Sequence, residues 1–517
     1  MTFLCIESEV FCLWYDLVPT ATFVPDQHCV LTFRNYFQLH ANNKLMVIFR
    51  FSNITALQNS LQGKVATHND PDYQSAQDSY FSAQAQSLFP ACIATPITNA
   101  EVAKIVEVLV EGGVKFAVRG GGHSLNAGAA NIESGVTINL RALNKVEINK
   151  EQTLVSIDGG AKWSEVSSVL DALGLATSGG RVADVGVGGL TTGGGISFFS
   201  AREGLVCDNV ENYEVVLADG SLVNANRLEN RNLWQALKGG SNNFGIVTRF
   251  DIRTFPQENF LGGCIVYDIS TLDSQLKGFA DLLKNFDPYA AIMMSISWNQ
   301  KRNGYSIFNN LEYTKNDTNP KAFKTFLDAK PQYLNTMRIS NLADFATEAG
   351  KYAAPGLRNQ FATTTFGGGL EFLQTVHSIW KSSIPSVSSI VGVNWAMTIQ
   401  PLPIAVMNQS EEVNFLGLSS SSGPLTLFLL SYNWENIEDD EEITMAAKKL
   451  ISDINEAARE RGVGSEFKYL NYAAGWQNPL RGYGVEGLKK LREIGEIYDP
   501  KGVFQTLCEG GFKISKA

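Results

Sequence analysis

Lys115-Phe-Ala-Val-Arg119-Gly120-Gly121-Gly122-His123-Ser124 is the stretch on which the fold turns. Lys115 to Arg119 is short and apolar and reads as a buried strand, which delivers the chain directly into three glycines and a histidine. Upstream, Thr98-Asn99-Ala100-Glu101 has the capping-box pattern, and Val102, Ile105, Val106, Leu109 and Val110 follow at helical spacing. The spacing predicts a helix from about 99 to 111, stopped at Gly112-Gly113. Downstream, Val136 to Leu140 and Leu154 to Ile157 read as strands, and Trp163, Val166, Val169, Leu170 and Leu173 as an amphipathic helix ending at Gly174. The order is mixed α and β.

Two further glycine clusters follow. One is Ser178-Gly-Gly-Arg-Val-Ala-Asp-Val-Gly-Val-Gly-Gly-Leu-Thr-Thr-Gly-Gly-Gly195, and the other is Gly239-Gly240-Ser241-Asn242-Asn243-Phe244-Gly245, ahead of an apolar strand from Ile246 to Ile252. Between them a strand, turn and strand span Tyr213 to Asn224, hinged at Asp219-Gly220. Half of the 46 glycines lie between Gly112 and Gly245. Each cluster taken alone reads most simply as a tight turn, whereas three that converge expose successive backbone N–H groups and form nests suited to a pyrophosphate and a large flat cofactor. A dinucleotide fingerprint is not met, because Gly186-Val187-Gly188-Gly189-Leu190-Thr191 lacks its last glycine and its βαβ context. No phosphate-binding G-x-x-x-x-G-K-[ST] loop is present. His123, one of five histidines, ends a glycine loop where a neutral imidazole can serve as the nucleophile that joins a cofactor methyl carbon.

Beyond about Gly263 the texture changes to long alternating segments, such as Ile292 to Trp298, Tyr305 to Tyr313 and Leu425 to Trp434, which predict an antiparallel sheet with helices on one face. Glu442 to Arg461 and Gly487 to Ile497 read as helices, and Phe467 to Tyr472 as a strand. Residues 1 to about 60 are aromatic-rich without a period and read as an extension. With 517 residues, 44% hydrophobic and 18% charged, the chain is an ordinary globular protein of several domains. A net charge of −10 supplies no basic field for nucleic acid, and no apolar run is long enough to span a membrane. The N-terminus carries acidic residues where a secretory signal would be apolar, so no signal peptide or compartment is assigned. The seven cysteines (Cys5, Cys12, Cys29, Cys92, Cys207, Cys264 and Cys508) form no close pair, so no metal site is expected and they read as buried thiols.

Arg119-Gly-Gly-Gly-His-Ser124, the Gly186 to Gly195 cluster, Lys238-Gly-Gly-Ser-Asn-Asn-Phe-Gly-Ile-Val247, and the terminal Tyr469-Leu-Asn-Tyr472 with Tyr498-Asp-Pro and Val503-Phe504 resemble the vanillyl-alcohol-oxidase flavoprotein superfamily. The resemblance is narrower to the berberine-bridge-enzyme branch found in fungal FAD-linked oxidoreductases, and it covers about 85 to 517. It implies an α+β fold: a two-subdomain PCMH-type FAD-binding domain, a substrate domain with an antiparallel sheet covered by helices, and a berberine-bridge-like C-terminal segment. The implied boundaries are 1–86 for the extension and lead-in, 87–258 for the FAD domain, 259–460 for the substrate domain and 461–517 for the segment that completes the site.

By the same resemblance, FAD is contacted by Arg119, Gly120, Gly121, Gly122, His123, Ser124, Val185, Gly186, Gly188, Gly189, Gly193, Gly194, Gly195, Gly245, Ile246, Val247, Asn471 and Tyr472. His123 matches the histidine that forms an 8α link. Val182 stands where some members place a second linking cysteine, so a single covalent bond is expected. Tyr469 is implied as the proton-abstracting group, without an obvious partner in the Leu425 to Trp434 strand; Gln400 is a second catalytic candidate and Asn394 a further polar one. The expected activity is hydride transfer from an alcohol, amine or activated C–H of a small hydrophobic metabolite to flavin N5, with O2 as acceptor. A carbohydrate oxidase on the same scaffold and a non-catalytic flavin or metabolite carrier are the alternatives.

Overall fold

Thr98 caps the helix that packs on the first sheet. Its Oγ1 accepts from the Glu101 N–H at 3.2 Å, and Glu101 Oε2 accepts from the Ile97 N–H at 2.7 Å. The helix, Asn99–Glu111 (α1), buries Val102, Ile105, Val106 and Leu109 along one stripe and stops before Gly113, whose φ of 59° suits glycine. The structure, a computed structural model, describes residues 54–353, 355–410 and 414–517. The expectations for the N-terminal extension and for Cys5, Cys12 and Cys29 fall outside the described residues.

The stripe of α1 packs on a four-stranded sheet made of Val65–Ala66 (β1), Cys92–Ala94 (β2), Phe116–Arg119 (β3) and Val136–Asn139 (β4). Its order is β1-β2-β4-β3, with β2, β4 and β3 parallel and β1 antiparallel. β3 lies at one side and ends at Arg119, so the first glycine loop starts at a strand terminus, as its sequence requires.

A second, antiparallel sheet is formed by Val146–Ile148 (β5), Leu154–Asp158 (β6), Leu175–Thr177 (β7), Val210–Val216 (β8), Leu222–Asn226 (β9) and Ile246–Pro256 (β10), with β10 central between β6 and β8. Trp163–Asp171 (α2) buries Trp163, Val166 and Leu170 in the same core. The second glycine cluster is not loop throughout, because Val187–Thr192 (α3) is a short helix that starts after Gly186 and closes with the Gly193 N–H on Gly189 O at 3.2 Å. Glycine weakens a helix by only about 1 kcal/mol per residue, which the buried Val187 and Thr191 offset.

The third sheet carries Phe260–Tyr267 (β11), Ala290–Asn299 (β12), Gly304–Tyr313 (β13), Gln332–Asn335 (β14), Arg338–Ser340 (β15), Arg358–Phe366 (β16), Asn394–Leu402 (β17), Leu425–Trp434 (β18) and Gly464–Ser465 (β19). The main path runs β14-β11-β13-β12-β17-β18-β16-β19, and its pairs are antiparallel. Period-two alternation splits its faces. Ile292, Met294, Ile296 and Trp298 join Phe428 and Leu430 in a large core under the helices Leu272–Lys284 (α4), Leu370–Ser383 (α5) and Asp440–Glu460 (α6). The other face is left for the cavity described below.

Phe467 to Tyr472, expected as a strand, does not join a sheet. β19 already occupies the edge of β16, and the chain then turns through a single 3₁₀ turn at Leu470–Tyr472, with the Tyr472 N–H on Tyr469 O at 3.0 Å. Tyr469 and Leu470 are consecutive and both buried, which a strand with one wet face does not allow.

Phe428 is fully buried at the centre of the third sheet. Phe428→Ala is expected to cost about 3–5 kcal/mol through lost burial and a residual cavity, read as a lower urea midpoint.

Candidate active site

Backbone meeting backbone sets the geometry. A Cβ on Gly121 would land on the Gly186 backbone, and one on Gly186 would land on that of Gly121. A Cβ on Gly188 would come within 3.0 Å of Gly159 O, and one on Gly120 within 3.3 Å of the same oxygen. The first and second glycine clusters therefore touch only because neither carries a side chain. Around this junction opens a cavity of about 550 Å³. Its lining includes Gly120, Gly121, Gly122, His123, Ser124, Val185, Gly186, Gly188, Gly189, Gly245, Ile246, Val247, Asn471 and Tyr472, together with Tyr469. Segments far apart in sequence are thus brought to one wall.

The remaining residues expected at the cofactor are placed differently. The Arg119 guanidinium turns away from the cavity, donating to Ala76 O at 2.6 Å and Ser79 Oγ at 2.6 Å and stacking 4.1 Å from the Tyr80 ring centre. It anchors the lead-in segment to the end of β3. Gly193 and Gly195 lie behind the lining, where added Cβ atoms would strike Asn471 and Val206, and Gly194 (φ 105°) faces Tyr469. Asn394 begins β17 outside the lining.

His123 stacks on Phe81 with ring centres 4.5 Å apart. Burial lowers its pKa to about 4, with Asp184 opposing and Lys162 reinforcing the shift, so the imidazole is neutral at physiological pH. Asp184 itself is engaged by Lys162 Nζ at 2.8 Å. Val182 lines the cavity beside Arg181.

The opposite wall is the free face of the third sheet. Cross-strand register places Ser295 opposite both Phe308 and Thr398, Met293 opposite Asn310, Thr398 opposite Leu429, and Ser431 opposite Phe361. All eight side chains line the cavity. Ser295 and Thr398 hydroxyls hydrogen-bond at 2.7 Å. Gln400, two residues beyond Thr398 on the same face, stands just behind the lining. Arg181 is the group that sequence reading missed. Its Nη1 donates to Gln400 Oε1 at 2.8 Å and its Nη2 to the Tyr472 hydroxyl at 2.7 Å, while Gln400 Nε2 donates to the same hydroxyl at 3.1 Å. An arginine inside a glycine run gives no pattern of its own, and its partners lie 219 and 291 positions away.

Tyr469 is 3% exposed and its ring meets that of Tyr472 edge-on at 4.8 Å. Asn471 Nδ2 donates to its hydroxyl at 3.0 Å. Burial pushes the Tyr469 phenol well above its ordinary pKa, outweighing Asn471 and Arg181, so this group holds its proton. The shift runs opposite to the one expected of a phenolate-forming base.

The cavity also presents buried carbonyl oxygens of Asn126 and Asn242 that lack a hydrogen-bond partner. A glycine-walled slot with such unsatisfied groups and a neutral histidine at its edge fits a flavin dinucleotide held by backbone and amide groups. The FAD binding domain family matches residues 90–226. The chain is 37% identical to the FAD-dependent monooxygenase sdcF of Emericella nidulans, over 89% of this chain and 98% of that protein. It belongs to the FAD-linked oxidoreductases. Among solved structures, this flavoprotein resembles 6-hydroxy-D-nicotine oxidase of Arthrobacter nicotinovorans, with TM-score 0.72, 20% identity and coverage of 86% and 96% of the two chains. It also resembles the glucooligosaccharide oxidase of Acremonium strictum, whose FAD is 6-S-cysteinyl and 8α-N1-histidyl, with TM-score 0.69, 20% identity and coverage of 88% and 98%. The α+β architecture is that of PCMH-type and berberine-bridge-like oxidases. Among the described residues of the flavoprotein, no helix is long and apolar enough to cross a membrane, and no cluster of three or more His, Cys, Asp or Glu is placed to hold a metal.

Gly121→Ala is expected to force the two glycine clusters apart at a cost of about 1–3 kcal/mol and to lower the ratio of flavin to protein absorbance in the purified flavoprotein. In the flavin-free protein, the folded His123 pKa of about 4 lies below its ordinary value of 6.5. The native state therefore binds fewer protons than the unfolded chain between these values, and stability falls as pH falls through that window. His123→Gln is expected to flatten this dependence, measured as urea midpoints at pH 6.5 and pH 4.5.

Proposed function

We propose that this flavoprotein oxidises an alcohol, amine or activated C–H group of a small, mostly apolar secondary metabolite, with O2 as the final acceptor. The observation that carries this reading is the cavity shared between the glycine clusters and the free face of the third sheet. Bound FAD would supply the acceptor for the substrate's electron pair, and the glycine-cluster wall beside His123 would hold it. The chain's own residues supply the rest. Phe81, Phe308, Phe361, Leu429 and Met293 form apolar walls that exclude water and seat a hydrophobic body. Ser295, Thr398, Asn310 and Ser431 are spaced polar contacts that orient it. These walls favour a metabolite over an oligosaccharide, which needs a denser set of polar partners.

Neutral His123 at the cavity edge supports single covalent attachment of FAD. Of the two tyrosines, Tyr472 is the better acceptor for the substrate proton, which it would take as a phenolate held by the hydrogen bonds that Arg181 and Gln400 direct onto its oxygen, while buried Tyr469 keeps its own proton. Gln400 thereby acts as a positioning residue, and Tyr469 packs against the acceptor. Relatives such as sdcF, named as an FAD-dependent monooxygenase, favour a second reading in which an oxygen atom of O2 enters the product. Isotopically labelled O2 separates the two: oxidation leaves the label in peroxide, and oxygenation carries it into the metabolite.

Acid-precipitated wild-type protein is expected to stay yellow, with FAD on the tryptic peptide that contains His123, and His123→Ala is expected to release the colour. With any alcohol that bleaches the flavin anaerobically, Tyr472→Phe is expected to slow stopped-flow reduction by about 10²–10⁴ and Tyr469→Phe by less than about tenfold. The reverse order returns the proton to Tyr469.

A further inference from the structure

Arg181 is a cation on the cavity wall whose hydrogen-bond partners are an amide and a tyrosine rather than a carboxylate. Its guanidinium has five N–H donors, and two serve the Gln400 carbonyl and the Tyr472 hydroxyl. Among the described residues it makes no ion pair with a carboxylate. Arg338, on β15 of the third sheet, shows the contrast, since it is matched by both Asp344 and Glu348. The carboxyl that interacts electrostatically with Arg181 is Glu312, on the cavity side of β13 one alternation beyond Asn310. Glu312 is 2% exposed, and its Oε2 has no hydrogen-bond partner. Burial, reinforced by Glu348, outweighs the pull of Arg181 and holds this carboxyl far above the usual carboxylate range, so it is neutral and leaves the arginine's charge uncompensated. A partly desolvated cation without a counter-charge is costly to keep, and a planar guanidinium with unused donors matches the two oxygens of a carboxylate.

We propose that Arg181 is the recognition site for a substrate carboxylate, so that the oxidised metabolite is an apolar acid whose reacting carbon lies one or two bonds from its carboxyl group. The spacing follows from Arg181 Nη2 and the Tyr472 hydroxyl, 2.7 Å apart: an acid held by the first places its neighbouring C–OH or C–H against the second. The substrate class rests on Tyr472 as proton acceptor, whereas the carboxylate contact does not.

The test uses the flavin-loaded protein with mandelate, an aromatic 2-hydroxy acid, and mandelamide, its neutral counterpart, measured by calorimetry and by perturbation of the flavin spectrum. Wild type is expected to bind mandelate at least about tenfold more tightly than mandelamide. Arg181→Gln is expected to abolish that preference, by a larger loss of mandelate than of mandelamide affinity, while keeping flavin content. Glu312→Gln, which swaps one neutral group for another, is expected to leave mandelate affinity within about twofold. Equal affinities in wild type, an unchanged preference in Arg181→Gln, or loss of flavin from that variant overturns the proposal, the last by assigning the arginine to the cofactor. A mandelate affinity that rises tenfold or more in Glu312→Gln also overturns it, because the carboxylate was then the arginine's partner. If the preference vanishes with Arg181 while Tyr472→Phe leaves reduction unchanged, the carboxylate site stands and the proton-acceptor reading falls; the opposite pattern leaves the oxidase reading intact without the acid site.

Discussion

Contact between the Gly121 and Gly186 backbones is the constraint on which this molecule's site depends. Either residue with a Cβ would overlap the other, so the strand end that carries His123 and the cluster that carries Arg181 can share one wall only if both positions lack side chains. That contact fixes the depth of the slot and puts peptide groups, rather than side chains, on its surface. A flat dinucleotide needs such a wall, because its edge must come close to the chain along its whole length.

The second half of the site follows from sheet parity. In β12, β13, β17 and β18 one set of alternating residues is committed to a large helix-covered core, and the other set can only face away from it. Because the strands stay in register, Ser295, Thr398, Asn310 and Ser431 stand at fixed intervals on a stiff surface. Polar contacts mounted this way hold a ligand more sharply than loop residues would, since moving one requires moving the sheet.

Electrostatics in and around the cavity are governed by burial more than by pairing. His123 is kept neutral, Tyr469 keeps its proton, and Glu312 stays uncharged, each because desolvation exceeds the influence of its neighbours. Arg181 is the exception, since a guanidinium cannot shed its proton at accessible pH. The result, among the described lining residues, is a chamber without carboxylates whose fixed positive charge, Arg181, stands next to the hydroxyl of Tyr472.

The local elements were legible in the sequence because their causes are local: the Thr98 cap and the apolar spacing of α1, the strand running into Gly120, the alternation of β12 and β13, and a histidine exposed by glycines. The family resemblance rests on those same stretches. Where local signals compete, sequence reading fails, as with the helix inside the second glycine cluster and the 3₁₀ turn at Leu470–Tyr472, whose shapes are set by what they pack against. The Arg119 side chain was unreadable for the same reason: its partners, Ala76 and Ser79, belong to a segment with no pattern pointing back to it. Only the tertiary structure joins Arg181 to Gln400 and Tyr472 and brings Glu312 near without pairing it. Periodicity tells which face a side chain takes, but hydrogen bonds between residues hundreds of positions apart, and the burial that decides their charge, exist only once three sheets have closed on one another.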